Sequence, residues 1–107
     1  LLENLVKKHG ALPAKGFPGR AAILIKLLNL DKKHLRCVHE QDKSNKVGHY
    51  VPGTKIPIVP DKQLKKLNKK IPILNLAWHI SKEIKFYLKK NKVNNKVIDI
   101  LNLGDFQ

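Results

Sequence analysis

Ala11-Leu12-Pro13-Ala14-Lys15-Gly16-Phe17-Pro18-Gly19-Arg20-Ala21-Ala22-Ile23-Leu24-Ile25-Lys26-Leu27-Leu28-Asn29-Leu30 decides the fold. Residues 11–15 read as a strand, 16–19 as a turn, and 20–30 as an apolar helix. A strand that turns through glycines straight into a helix aims the helix's free N–H groups, and the positive end of its dipole, at whatever lies over the turn. That is a site for an anion such as phosphate. The dinucleotide fingerprint asks for Gly at its first, third and sixth places, which Ala14, Gly16 and Gly19 occupy here. Two readings therefore stand: phosphate binding, or glycines that only turn the chain and let helix and strand pack closely.

Outward from that stretch, apolar runs alternate with helical periods. Leu1, Leu2, Leu5 and Val6 share one helical face ended by Gly10. This helix reads as a linker (1–10) from a preceding domain, ahead of one domain over 11–107. Pro13 removes a ladder donor, so the first strand should start irregularly. Helix 20–30 is apolar on nearly every side and should be buried between layers or face a partner domain. In strand 34–39, alternation puts Leu35, Cys37 and His39 on one face and Arg36 and Val38 on the other. Residues 43–50 read as loop and 51–54 as a turn. Strand 56–59 is confined to an edge by Pro57. Asp61 opens a helix, 71–77 is a near-continuous apolar strand, Ser81 is placed to cap the helix that follows, and 96–101 is the last strand. The pattern predicts an α/β, Rossmann-like three-layer domain with a mainly parallel sheet of about five strands. In such a sheet ligands sit outside the carboxyl ends of the strands, where three loops are expected: 16–20, 40–54 and 78–81.

Bulk properties bound the function. A chain of 107 residues is one small domain. It begins Leu-Leu-Glu within an amphipathic pattern, which reads as a piece of a longer protein. Its net charge of +14 comes from 22 basic and 8 acidic residues, and would draw phosphate-rich partners in a salt-dependent way. Yet Lys outnumbers Arg ten to one (20 against 2), and few aromatics are interleaved to stack bases. Nucleic acid is disfavoured on both grounds. No apolar run is long enough for a membrane span, and no secretory signal is visible; a cytoplasmic setting is expected. Cys37, the single cysteine, lies in an apolar strand and reads as a buried inert thiol.

Two strings, Lys46-Val47-Gly48-His49-Tyr50-Val51-Pro52-Gly53-Thr54-Lys55-Ile56-Pro57-Ile58 and Leu76-Ala77-Trp78-His79-Ile80-Ser81-Lys82-Glu83-Ile84, together resemble the C-terminal domain of sugar C-methyltransferases of deoxysugar biosynthesis. Gly16-Phe17-Pro18-Gly19-Arg20-Ala21 matches the glycine turn before that family's first helix. Pro13 and the loop 40–45 depart from the pattern. The resemblance implies a zinc-binding domain and a methyl-transferring domain upstream, the latter holding S-adenosylmethionine and the base. This domain would close over a nucleotide-diphosphate sugar, binding neither metal nor cofactor and not catalysing alone. The upstream methyltransferase domain would then be its partner.

The candidate substrate-binding residues are Gly16, Gly19, Arg20, Glu40, His49, Tyr50, Thr54, Trp78 and His79, with none catalytic and none for metal. Arg20 is placed to bind phosphate, and Glu40 lies where a nucleotide fold puts its ribose-binding acid. His49 and His79 would touch substrate or only solvent; Tyr50 and Trp78 would stack on a base or pack under the sheet edge. The alternative is a basic module binding NAD-like nucleotides or nucleic acid through the same turn.

Overall fold

The computed structural model describes residues 2–16 and 18–100; the side chains of residues 18–20 and 78 also fall outside the description. Five parallel strands, β1 (Leu12–Lys15), β2 (Leu35–Glu40), β3 (Ile58–Pro60), β4 (Ile73–Asn75) and β5 (Val97–Asp99), form one sheet in the order β3-β2-β1-β4-β5. The sheet is flanked by helices α1 (Leu2–His9), α2 (Pro18–Leu27) and α3 (Ser81–Lys90). This is the expected Rossmann-like three-layer arrangement. It is parallel throughout, and β3, preceded by Pro57 and ending in Pro60, lies at an edge.

Local chemistry sets the boundaries. Gly10, at φ +77°, ends α1 and donates its N–H to the Val6 carbonyl at 2.7 Å. Pro18, which needs no amide partner and carries a helical φ, starts α2 two residues earlier than the apolar period suggests. Asn29, at φ +55°, closes α2: Leu30 N–H bonds the Ile25 carbonyl at 2.9 Å and Asn29 N–H that of Lys26 at 3.2 Å. That paired closure is the Schellman motif with Asn in the left-handed position.

Three expectations are corrected. Leu35 does not share a face with Cys37 and His39. The β1–β2 register shifts between Leu12 and Pro13, so Leu12 pairs with Leu35 but Pro13 with Cys37. Arg36 is the extra residue, and its Nε donates to the Ala11 carbonyl at 2.9 Å. The bulge absorbs the donor that Pro13 lacks and turns Leu35 to the side of Val38. The segment from Asp61 is a 3-10 helix (Asp61–Lys66) that turns extended at Leu67. Ser81 is helical, at φ −55°, and makes no capping bond. Its hydroxyl instead donates to Asp99 Oδ2 at 2.7 Å.

The chain leaves β1 through α2 on one side of the sheet and β4 through α3 on the other. On the α2 side, Ala14, Val38, Ile58, Leu74 and Leu76 pack against Ala21, Leu24 and Ile25. On the α3 side, Ile73 and Val97 pack under Leu64, Ile84 and Leu88. Neighbouring strands whose connections leave on opposite sides open a crevice at their carboxyl ends. Here those strands are β1 and β4. The outer face of α2 exposes Ile23 and Leu27 (67% and 64%); the helix is buried by one layer only.

Candidate functional site

The parallel register lines up a row of polar residues across the carboxyl edge. Lys15 pairs with His39 on β2 and with Asn75 on β4, and Asn75 pairs with Asp99 on β5. In-register residues of parallel strands point to one face, so all four lie on the α3 side, and all are buried. Asp61, just past β3, extends the row. Burying five polar side chains is costly unless each is paired, and the pairing forms two clusters.

The first cluster holds a charge pair. Lys15 Nζ donates to Asp61 Oδ2 at 2.7 Å, with Lys15 only 4% exposed. The Tyr87 hydroxyl donates to the same oxygen at 2.7 Å, and Lys15 Nζ lies 5.2 Å from the centre of the Tyr87 ring. Burial, then this bond to Asp61, pushes the Tyr87 phenol well above its ordinary range. Asp61 Oδ1, closed to solvent, finds no hydrogen-bond partner. His39 completes the cluster, with Nδ1 3.4 Å from the Pro60 carbonyl and Nε2 3.4 Å from Cys37 Sγ. Burial lowers the His39 pKa and raises that of the Cys37 thiol to about 11. The neutral forms of both therefore prevail, and Cys37 is inert.

The second cluster surrounds Asp99. Its Oδ1 accepts from Asn75 Nδ2 at 2.7 Å; its Oδ2 accepts from Ser81 at 2.7 Å and from Lys85 Nζ at 3.2 Å. Burial works against the charge, but these bonds outweigh it and hold the carboxyl below its usual range. Asn75 also accepts the Ala77 N–H at 3.0 Å, which ties the chain leaving β4 into the network.

Between the β1 edge and α3 lies a cleft of about 180 Å³, lined by Lys15, Gln41, Ile80, Glu83, Ile84 and Tyr87, with Gly16 at its base. A Cβ on Gly16 would sit 3.0 Å from that of Leu76, so the close approach of the chain leaving β1 to the chain leaving β4 by itself favours a glycine here. Gly19 lies in the first turn of α2. The side chains of Arg20 and Trp78 lie outside the described residues. Glu40 is buried at the end of β2, where its Oε1 accepts the Gln41 N–H at 2.8 Å. His79 is exposed beside the cleft residue Ile80.

His49, Tyr50 and Thr54 belong to another part of the molecule. Residues 48–58 fold back on themselves: Tyr50 bridges Pro57 in antiparallel fashion, and Val51 N–H bonds the Ile56 carbonyl at 2.9 Å. Thr54 Oγ1 donates to the Val51 carbonyl at 2.8 Å and accepts the Ile56 N–H at 3.0 Å. Val51 and Ile56 are fully buried on the α2 side, while His49 and Tyr50 are exposed. Thr54 lines a groove with Ile25 and Leu30, beside the later part of α2.

Sequence reasoning missed Lys15, Asp61, Asn75, Tyr87 and Asp99. The signal was a polar residue set into each apolar strand near its end: Ala14-Lys15, Ile73-Leu74-Asn75, Val97-Ile98-Asp99. No group of three or more metal-ligating side chains among the described residues is placed to hold an ion. No helix there is long and apolar enough to cross a membrane.

A family model described as the C-methyltransferase C-terminal domain matches residues 1–98. The chain belongs to that family. No curated protein and no solved structure matches it.

Proposed function

We propose, from its membership of the C-methyltransferase C-terminal domain family, that the chain holds a nucleotide-linked sugar for methylation at carbon by another part of the same protein. The observation that carries this reading is the strand order. It sets Gly16 and the start of α2 at the switch point between β1 and β4, beside the buried polar row. Pro18 has no N–H, so the free donors of that helix end begin at Gly19 and Arg20. These amides and the Arg20 guanidinium would take the diphosphate.

S-adenosylmethionine supplies the methyl group in such a reaction. The turn here is a poor cradle for it: Gly16 is spent on packing against Leu76, and Glu40 already accepts a backbone N–H. In this reading the donor, its base and any zinc are held elsewhere in the protein. This domain's share is to bind the nucleotide end and present the sugar.

Calorimetric titration of the chain with a nucleoside-diphosphate hexose tests this. Arg20→Ala should weaken binding by about 1.5–3 kcal/mol, the weight of a charge-assisted bond, with the melting temperature as the control for folding. Equal binding by variant and wild type overturns the phosphate role of the turn. Tighter binding of NAD or of oligonucleotides than of the nucleotide-sugar overturns the substrate assignment.

A further inference from the structure

We infer that the outer surface of the α3 layer docks on an anionic lipid leaflet. Half of the chain's 22 basic residues fall between Asp61 and Lys96, all of them lysines and all exposed. The same stretch has two acids, and neither offsets them: Asp61 is buried against Lys15, and Glu83 turns to the cleft beside β1. Among the described residues, Lys85 is the one of these lysines with an ion-pair partner, Asp99. The 3-10 helix at 61–66 and α3 carry most of them and form one surface, because Leu64 packs with Ile84 and Leu88. On α3, where Ile84 and Leu88 are buried, a turn of about 100° per residue puts Lys82, Phe86 and Lys89 at the opposite pole. Phe86 is 69% exposed there. Solvation accounts for the lysines but not for the ring, which gains only by leaving water.

Charge complementarity calls for an anionic partner, and side-chain chemistry says which. A second copy of the chain is excluded by the net charge of +14 on each. A specific protein interface fixes its side chains, and lysine, strongly hydrated and rich in rotamers, is depleted there. Nucleic acid is gripped by guanidinium forks and by several stacking rings, whereas residues 61–96 contain no arginine and Phe86 stands alone at the pole. A leaflet of acidic lipid attracts each ammonium through its surface potential without fixing it. The same leaflet takes an apolar side chain between its headgroups, and the lysine stems lie along it with their charges in water. Lipid is the partner that uses both the lysines and the ring.

The test is co-sedimentation of the 107-residue chain with vesicles of phosphatidylcholine, either alone or mixed with about a third phosphatidylserine. The chain should pellet with the acidic vesicles, stay in solution with the neutral ones, and be released by added salt. Lys82→Gln together with Lys89→Gln should weaken binding about 25-fold, at about fivefold for each lysine near the surface. Lys7→Gln together with Lys8→Gln removes the same charge from α1, which packs through Leu2 on the other side of the sheet. That pair should leave binding nearly unchanged, because charges far from the leaflet are screened. Phe86→Ala should weaken binding about tenfold, with an unchanged melting temperature. Failure to pellet with acidic vesicles overturns the inference. Equal losses from the two lysine pairs also overturn it, since net charge alone would then explain the attraction. Unchanged binding by Phe86→Ala, or tighter binding of polyuridylate than of acidic vesicles at the same salt, overturns lipid as the partner.

Discussion

The two faces of this sheet come from the same five strands and are built to opposite rules. On the α2 side the core of the described residues is apolar, from Ala14 and Leu74 at the centre to Val51 and Ile56 of the folded-back segment, with Glu40 the buried polar residue at its rim. On the α3 side the apolar contact covers the region of Ile73 and Val97, and the carboxyl edge changes to Lys15, His39, Asn75 and Asp99. A one-residue slip of any strand would exchange these sets, so the polar row is held in place by the dry face opposite it. The lesson is a division of labour. One face supplies the free energy that fixes the register, and the other spends part of it on buried groups arranged at the candidate site.

The sharpest way to break this comparison is to remove Lys15. Lys15→Met leaves Asp61 buried and uncompensated, and chemical denaturation should show a loss of about 3–5 kcal/mol. The double variant Lys15→Met, Asp61→Leu should recover most of that loss. If it does, the ion pair is kept for a task other than stability; if the double variant is as unstable as the single one, the two faces are not divided in this way. Next in size is Leu74→Ala, fully buried on the α2 side. It should cost about 2–5 kcal/mol in the same assay, without altering what the chain binds. A change of ligand preference in that variant would mean that the faces are coupled.

The smallest expected effect is at Asp99. Its folded pKa is depressed, so its contribution to stability is present above the ordinary carboxylate pKa and is lost as pH falls through the depressed value. Asp99→Asn should therefore be about 1–2 kcal/mol less stable than wild type at pH 7. The gap should narrow as the pH drops below about 4. Parallel stability profiles from pH 7 to pH 3 would show that the Ser81, Asn75 and Lys85 bonds do not favour the ionised form.

Much of the architecture was legible because its signals are local. Gly10 and Asn29 punctuate helices by backbone geometry that a single residue determines, and the apolar runs located all five strands within about two residues, although Pro18 was read with the turn and not as the start of α2. What escaped depends on partners distant in sequence. Leu35 was assigned to the wrong face because the bulge at Arg36 answers to Pro13 on another strand. Ser81 has the composition of a cap, but Asp99, 18 residues away, claims its hydroxyl. Lys15 and Asp61 are 46 residues apart, and nothing near either one announces the pair. In the longest family string, at 46–58, which supplied the candidates His49, Tyr50 and Thr54, the residues Val51, Thr54 and Ile56 hold the segment's own fold, and no local signal separates such a role from binding. The polar row appears only when the strands are laid side by side, and a parallel register is set by the whole sheet.

Cys37 turns the sheet into its own clock. It is the single thiol in the chain, it is buried on β2, and β2 is flanked by β1 and β3. Alkylating reagents attack the thiolate, and a thiol with a pKa near 11 supplies little of it while the sheet is closed. Its modification therefore waits for β2 to separate from a neighbour, and the labelling rate at neutral pH counts those openings. Added ligand should slow that count only if it grips the strand ends on both sides of the switch point.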